Sequence, residues 1–236
     1  MAGGSPRPLY WRDLAALGRG ILASDIERAL RLYDDQSLGI RLFVRARHLL
    51  APLERIAERV PRQGRVLDVG CGHGLFGNLL ALQSNARSVE GVDPSAAKIQ
   101  VARRTSRILP NVRFAQGVVQ DVADTQFDAL TILDVLYLLP PDQKRAVLER
   151  CLKLLVADGV LLLKTNDTAP TWKYAVTRAQ EALMTGLGLT LGDGLYFFSQ
   201  AQHVALLEAV GFRVEVERLD SWLPYPHVLF VCRPAR

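Results

Sequence analysis

The sequence predicts an α/β fold: a doubly wound, mostly parallel seven-stranded sheet whose last strand is antiparallel. A helical cap precedes the sheet and a lid is inserted between strands five and six. From residue 65 onward, short apolar runs alternate with helical patterns, which is typical of a parallel sheet covered on both faces. The connection 220–226 between the last two predicted strands is too short for a parallel crossover, so the final strand must turn back.

The N-terminal segment predicts helices and no strand. Apolar residues recur at spacings of three and four over 21–33 and 40–60, which places them on one face of each helix. Pro52 predicts a kink or a join in the second pattern. We therefore divide the chain into a cap, 1–64, and an α/β domain, 65–236.

The α/β domain is predicted to contain five helices and seven strands. The strands are 66–69, 88–92, 112–115, 129–133, 160–164, 212–219 and 227–232. The helices are 75–83, 95–109, 143–155, 171–185 and 199–210, and Asp158-Gly159 is expected to end the third. The insertion at about 167–200 has an apolar, glycine-rich centre, which is typical of a mobile lid or a lipid-facing loop.

Composition excludes several classes of protein. With 49% hydrophobic and 22% charged residues, the chain can bury a core, and it has no apolar run near the roughly 20 residues of a membrane span. The N-terminus lacks the apolar centre of a signal peptide. The three cysteines and four histidines are scattered, which predicts neither a disulfide scaffold nor a metal site. We expect a soluble, cytoplasmic protein.

The net charge of +5 is unevenly placed. Residues 1–65 hold 12 Arg and no Lys against 7 acidic residues, whereas the remaining residues hold 17 basic and 17 acidic side chains. This Arg-rich segment is either a solvated helix surface or a cap that attracts an anionic substrate, a carrier or a membrane surface. Nucleic acid is not the expected partner, because the basic charge is not spread over a face with interleaved aromatic residues.

The strongest motif is a strand that runs into a glycine turn and opens a helix. Strand 66–69 is followed by Gly70, Gly72 and Gly74, and glycine lets a backbone approach a ligand closely. Asp93 ends the next strand, where an acidic residue can accept hydrogen bonds from both hydroxyls of a ribose.

Two cofactors compete for this motif. Gly72, Gly74 and Gly77 satisfy the dinucleotide fingerprint G-x-G-x-x-G, so an NAD(P)-dependent oxidoreductase is one alternative. However, the fingerprint starts two residues after the strand's first glycine, and Asp68 would repel a pyrophosphate. A cationic ligand without phosphate, such as S-adenosylmethionine, suits the acidic residues better.

Several motifs together resemble those of the class I, seven-stranded S-adenosylmethionine-dependent methyltransferases. They are Asp68–Gly74, Glu90–Asp93, Phe127–Tyr137, Leu152–Leu163 and Leu207–Phe212, and the resemblance covers roughly residues 60–235. It implies the fold, the cofactor S-adenosylmethionine and the product S-adenosylhomocysteine, but it says little about the methyl acceptor.

The resemblance also implies roles for individual residues. The backbone of Gly70, Cys71, Gly72 and Gly74 would lie under the methionine part of the cofactor, with Asp68 organising the turn or the ammonium group. Asp93 would hold the ribose hydroxyls.

Strands three and four supply the other expected cofactor contacts. Leu133 and Asp134 would pass beneath the cofactor, and burying Asp134 unpaired in its apolar run would be costly. Family members often carry Asp directly after Gly117, where this chain has Val118. Asp121 and Val119 are therefore the candidates for the adenine contact.

The acceptor is expected beside the carboxyl ends of the strands, where ligands of open α/β sheets bind. The aromatic residues that follow those ends form either an acceptor wall or the core beneath the cap. The substrate candidates are Trp172, Lys173, Trp222 and Tyr225, and the catalytic candidates are His227, as a base, and Tyr137. His203 and His73 follow as alternative bases, and Tyr33, Arg41 and Arg45 are the cap residues considered for cofactor or substrate contact.

The sequence therefore predicts a methyltransferase acting on a small acceptor that is apolar, aromatic or lipid-like. Oxygen is favoured over nitrogen and carbon as the methylated atom. An Asn/Asp-Pro-Pro-aromatic motif, typical of many enzymes that methylate amino groups, is absent from the sequence. Besides the oxidoreductase, a non-catalytic S-adenosylmethionine-binding partner protein remains an alternative.

Overall fold

The computed structural model of the chain describes residues 24–168, 195–219 and 226–235. They form one seven-stranded sheet with the order β3-β2-β1-β4-β5-β7-β6, which confirms the predicted fold class. The strands are β1 (Gly64–Val69), β2 (Arg87–Asp93), β3 (Val112–Gln116), β4 (Phe127–Leu133), β5 (Leu155–Asn166), β6 (Phe212–Arg218) and β7 (His227–Pro234).

The strand directions follow from the lengths of the connections. Strands β1 to β5 run parallel to one another, whereas β7 pairs antiparallel with both β5 and β6. The chain moves outward from β1 to β3 and then returns to the other side of β1 with β4. This reversal leaves a crevice at the carboxyl ends of β1 and β4, where open α/β sheets bind ligands.

The described helices lie on the sheet and over its carboxyl edge. They are α1 (Asp25–Arg31), α2 (Leu38–Leu50), α3 (Leu53–Ala57), α4 (Leu75–Gln83), α5 (Ala96–Thr105), α6 (Pro141–Leu154) and α7 (Gln200–Val210). Pro52 stands between α2 and α3, so it marks a join between two helices. The predicted helix 171–185 lies outside the described residues.

The prediction that the third helix of the α/β domain ends at Asp158-Gly159 is wrong. Helix α6 ends at Leu154, and β5 begins directly at Leu155. The buried side chain of Leu155 pairs with Phe127 of β4, and the register then shifts before Ala129 pairs with Val160. Asp158 and Gly159 therefore lie in an irregularity within a long strand, because burial of Leu155 draws the chain into the sheet early.

The described part of the cap shares a hydrophobic core with one face of the sheet. Ile26 of α1, Val44 of α2 and Ile56 of α3 belong to the same buried cluster as Leu79 of α4 and Leu162 of β5. The proposed division at residue 64 stays a prediction. No helix within the described ranges has the length and apolar character that a membrane crossing requires.

Candidate active site

The glycine turn after β1 is held by backbone bonds to β2. The amides of Gly70 and Cys71 both donate to the carbonyl of Val92, at 2.8 and 3.0 Å. Gly70 has a φ of 74° and Gly72 a φ of 56°, a region that side chains disfavour. A Cβ on Gly72 would meet nothing within 4 Å, so the turn presents bare backbone to open space at that residue.

Two carboxylates stand on either side of this turn. Asp93 accepts hydrogen bonds from the amides of Gly72 and Ser95, each at 2.9 Å, and so joins the turn to the start of α5. Asp68 accepts a hydrogen bond from the Thr131 hydroxyl at 2.7 Å. Burial raises the pKa of Asp68 to about 6, and the hydrogen bond from Thr131 offsets part of that rise.

Asp134 lies at the centre of a buried ion cluster. Its carboxylate is 2.7 Å and 2.8 Å from the Lys164 ammonium and 3.0 Å from the Arg47 guanidinium. Burial alone would raise its pKa, but Lys164 first and Arg47 second outweigh burial and lower the pKa to about 2. Among the described residues, Asp134 is the one non-glycine residue with a positive φ, at 61°.

Arg47 and Lys164 were not identified from the sequence. Arg47 also donates to the Leu133 carbonyl at 3.2 Å, which fixes helix α2 to the end of β4. Lys164 pairs directly with Leu133 across the sheet and is buried. The sequence does indicate a partner for Lys164, because it follows an apolar run and a buried ammonium group requires an acidic residue nearby.

His227 connects β7 to the cap. Its Nδ1 is 2.8 Å from Asn166 Oδ1, and its Nε2 is 2.7 Å from the carbonyl oxygen of Leu50 at the end of α2. Burial, followed by the charge of Lys164, lowers the pKa of His227 to about 4, so the ring is neutral at pH 7. Because the neutral ring carries a single N–H, it donates to only one of these two oxygens at a time.

A cavity of about 410 Å³ opens between the sheet's carboxyl edge and helix α2. Ten of the predicted site residues line it, the alternative base included: Asp68, Gly70, Cys71, Gly72, His73, Asp93, Leu133, Asp134, Tyr137 and His227. The structure thus brings together residues from four strand ends. Phe43, Ala46 and Leu50 of α2 complete the lining on the cap side.

Three predicted cofactor residues do not line this cavity. Gly74 precedes α4, where a Cβ would stand 2.8 Å from Ala102 and from Phe114. Val119 is buried in the hydrophobic core on the other face of the sheet. Asp121 is exposed and accepts a hydrogen bond from the Val118 amide at 2.9 Å.

Two predicted aromatic residues make contacts with other parts of the chain, and four predicted substrate residues lie outside the described ranges. Tyr137 stacks on Phe197, with ring centroids 5.0 Å apart. Tyr33 is buried, and its hydroxyl donates to the carbonyl of His73 in the glycine turn at 2.8 Å. The substrate candidates lie outside the described residues: Trp172, Lys173, Trp222 and Tyr225.

We expect Asp134→Asn to lower the free energy of unfolding by about 3 kcal/mol, because it leaves the buried Lys164 ammonium without its counter-charge. Asparagine tolerates positive φ, so the substitution tests the charge and spares the backbone. Denaturant unfolding measures the change. The double variant Asp134→Asn with Lys164→Met should recover part of the loss, and a single variant as stable as the wild type would contradict the ion-cluster interpretation.

Comparison with known proteins places this chain in a family. A family model described as a methyltransferase domain matches residues 41–217. A ubiquinone biosynthesis O-methyltransferase from Xylella fastidiosa is 33% identical over 180 residues, which is 71% of this chain and 70% of the relative. A second one, from Erwinia tasmaniensis, is 32% identical over 124 residues. This match covers 50% of this chain and 49% of the relative, so the chain spans about half the length of that protein.

A solved structure supports the fold. The magnesium protoporphyrin IX methyltransferase from Synechocystis PCC 6803, solved with bound S-adenosylhomocysteine, has a TM-score of 0.62 and 21% identity. The match covers 89% of this chain and 93% of that protein. The family match includes β1 to β5 and most of the cap helix α2, and the strand order is the one described above. The chain therefore belongs to the class I S-adenosylmethionine-dependent methyltransferases.

Proposed function

We propose that this methyltransferase transfers the methyl group of S-adenosylmethionine to a hydroxyl of a small acceptor that is aromatic, apolar or lipid-like. The observation that carries the proposal is the mixed lining of the cavity. Asp68, Asp93 and the glycine turn supply polar groups, whereas Phe43, Leu50 and Tyr137–Leu139 supply mainly apolar side chains. Such a lining suits a charged cofactor beside an apolar acceptor.

The polar groups of the cavity fit the cofactor. No atom lies within 4 Å of a Cβ built on Gly72, which lines the cavity. A side chain at this position would take up space in the cavity that glycine leaves to the cofactor. Asp68 is the proposed partner of the cofactor ammonium group. Asp93 uses each carboxylate oxygen once for a backbone amide, and its remaining lone pairs are available to the ribose hydroxyls.

The other predicted cofactor residues complete this proposal. Backbone groups of Gly70, Cys71 and Gly74 shape the turn, and Leu133 and Asp134 pass beneath the cofactor. Asp121 contributes at the adenine end, and the buried Val119 supports that end by packing. The bound cofactor supplies an electrophilic methyl group on a sulfonium. The protein then has to align the acceptor oxygen with that group and exclude water.

The apolar side chains of the cavity are proposed to hold the acceptor. They come from helix α2 and Tyr137–Leu139, and Trp172, Lys173, Trp222 and Tyr225 are proposed to extend them. His227 borders the cavity and is neutral, which is the protonation state that a base requires. The ring nitrogen that carries no proton would accept the hydroxyl proton once its contact with Leu50 or Asn166 opens, with Tyr137 beside the acceptor.

The similarity to proteins named O-methyltransferases supports oxygen as the methylated atom. We also propose a cytoplasmic location and a contact between the Arg-rich cap and a membrane or a carrier. A small-molecule acceptor is favoured over nucleic acid, because the cavity is lined mainly by apolar side chains.

We expect S-adenosylhomocysteine to bind with micromolar affinity in isothermal titration, and we expect Asp93→Ala to weaken it by about 10- to 100-fold through loss of charge-assisted ribose bonds. Asp124→Ala is the matched control, because Asp124 is an exposed carboxylate that pairs with Arg150. Equal affinity in both variants would remove Asp93 from the site. Binding of NAD(H) or NADP(H) alone would overturn the proposed cofactor.

We expect the affinity for S-adenosylhomocysteine to be constant above about pH 6 and to fall below it, approaching about tenfold per pH unit. Asp68 has a pKa of about 6 in the free protein, and it must lose its proton to pair with the ligand ammonium group. Titrations between pH 5 and pH 8 measure the profile. Asp68→Asn should flatten it, and a wild-type profile that is already flat would contradict the proposed ion pair.

We expect His227→Ala to lower kcat for a hydroxylated aromatic acceptor by about 100-fold, while S-adenosylhomocysteine binding stays within about threefold. His203→Ala is the matched control: His203 is also buried, with its pKa lowered to about 4, and it does not line the cavity. A His227→Ala enzyme with wild-type kcat would leave His227 as a structural link between β7 and the cap. A folded, cofactor-binding protein that methylates none of a broad acceptor panel would favour the non-catalytic alternative.

A further inference from the structure

We propose that the outer face of helix α2 docks the protein on an anionic lipid surface and thereby brings a membrane-resident acceptor to the cavity. This inference rests on the proposed function, since it names the source of an apolar acceptor. The outer face is defined here as Leu38, Leu42, Arg45 and Leu49. It is distinct from the inner face of the same helix, which lines the cavity.

The outer face is apolar and open. Leu38, Leu42 and Leu49 are 67%, 59% and 70% exposed, which is unusual for leucine, and Arg45 lies between them. The spacings of four, three and four residues place all four side chains on one stripe of the helix. Among the described residues, five large hydrophobic side chains are strongly exposed, and three of them belong to this stripe.

The charge on the helix selects an anionic partner. Helix α2 carries Arg41, Arg45 and Arg47 and no acidic residue. Arg47 pairs with Asp134 inside the cavity. Arg45 belongs to the outer face, and Arg41 lies next to Leu42 in the sequence. Arg45 lies 3.6 Å from Asp34, and both side chains are about half exposed, so the pair is weak and a lipid phosphate can compete for the guanidinium.

This combination of leucine and arginine on one helix face is typical of helices that lie in the membrane interface. Residues 1–65 carry the whole net charge of +5. That excess favours an anionic bilayer over a second copy of this chain, whose own N-terminal segment would repel it.

The outer face is continuous with the cavity. Ala46 is exposed beside the stripe and also lines the cavity, and Phe43 and Leu50 lie further inward on the same helix. Contacts of Arg47 with Asp134 and of Leu50 with His227 hold α2 against the site. A molecule that leaves the lipid surface at Ala46 therefore enters the cavity beside apolar side chains of α2.

Sedimentation of the full chain with vesicles tests this inference. We expect binding to phosphatidylcholine vesicles that contain about a quarter phosphatidylglycerol, and weaker binding to phosphatidylcholine alone or at high salt. The triple variant Leu38→Ser, Leu42→Ser, Leu49→Ser should require at least about tenfold more lipid for half-binding. Val118→Ser, at another exposed apolar side chain, should bind as the wild type does.

A pair of charge reversals provides a second test. Arg45→Glu should weaken vesicle binding, whereas Arg104→Glu, on an exposed position of α5, should have little effect. All these side chains are exposed, and circular dichroism and thermal unfolding verify that each variant folds. Unchanged binding in the triple variant would place the contact elsewhere in the chain and overturn the proposal. A wild-type protein that does not bind anionic vesicles would overturn it as well.

Two further measurements separate this inference from the proposed function. The triple leucine variant should bind S-adenosylhomocysteine normally and methylate a water-soluble hydroxylated aromatic at the wild-type rate, while losing activity on a vesicle-embedded acceptor. Methylation of the soluble acceptor without any vesicle binding would leave the proposed function intact and remove the docking surface. Sedimentation velocity that shows a dimer, lost in the triple variant, would assign the stripe to self-association instead.

Discussion

The arrangement of the cavity depends on one buried carboxylate that holds two cations. Lys164 can stay charged inside the sheet because Asp134 neutralises it, and Asp134 reaches it by adopting a left-handed backbone conformation at the end of β4. The same carboxylate pairs with Arg47 of the cap. Since buried ions are stable only when they are paired, the cap helix, β4 and β5 are fixed relative to one another at a single point.

The cavity built around this cluster has a charge pattern that suits two different ligands. Its acidic residues outside the cluster stand at the carboxyl ends of β1 and β2. Of the three basic residues that line it, Arg47 and Lys164 pair with Asp134, and the third is Lys98. Two carboxylates, Asp68 and Asp93, therefore remain beside the glycine turn. Helix α2 adds apolar side chains to the same cavity, with Phe43 beside His73 of the turn.

The sheet was predictable from the sequence because its determinants are local. Glycines and Asp93 marked the ends of β1 and β2, and the length of the connection 220–226 alone required β7 to be antiparallel. The ion cluster was not found, because its members are far apart in the chain and nothing adjacent to Arg47 indicates Asp134. The start of β5 was misjudged for a similar reason: the local signal at Asp158-Gly159 was overridden by the pairing of Leu155 with Phe127.

The bonds between cap and sheet have a consequence for enzyme engineering. Tyr33 donates to a carbonyl in the glycine turn, Arg47 pairs with the end of β4, and the Leu50 carbonyl meets the first residue of β7. A chimera that exchanges residues 1–64 for the cap of another methyltransferase would lose the Arg47 cation beside Asp134 and the Tyr33 hydroxyl on the glycine turn unless the new cap carries the same two side chains. These bonds mean that residues 1–64 are not a separable module, and a working transplant would have to match the end of β4 and the glycine turn.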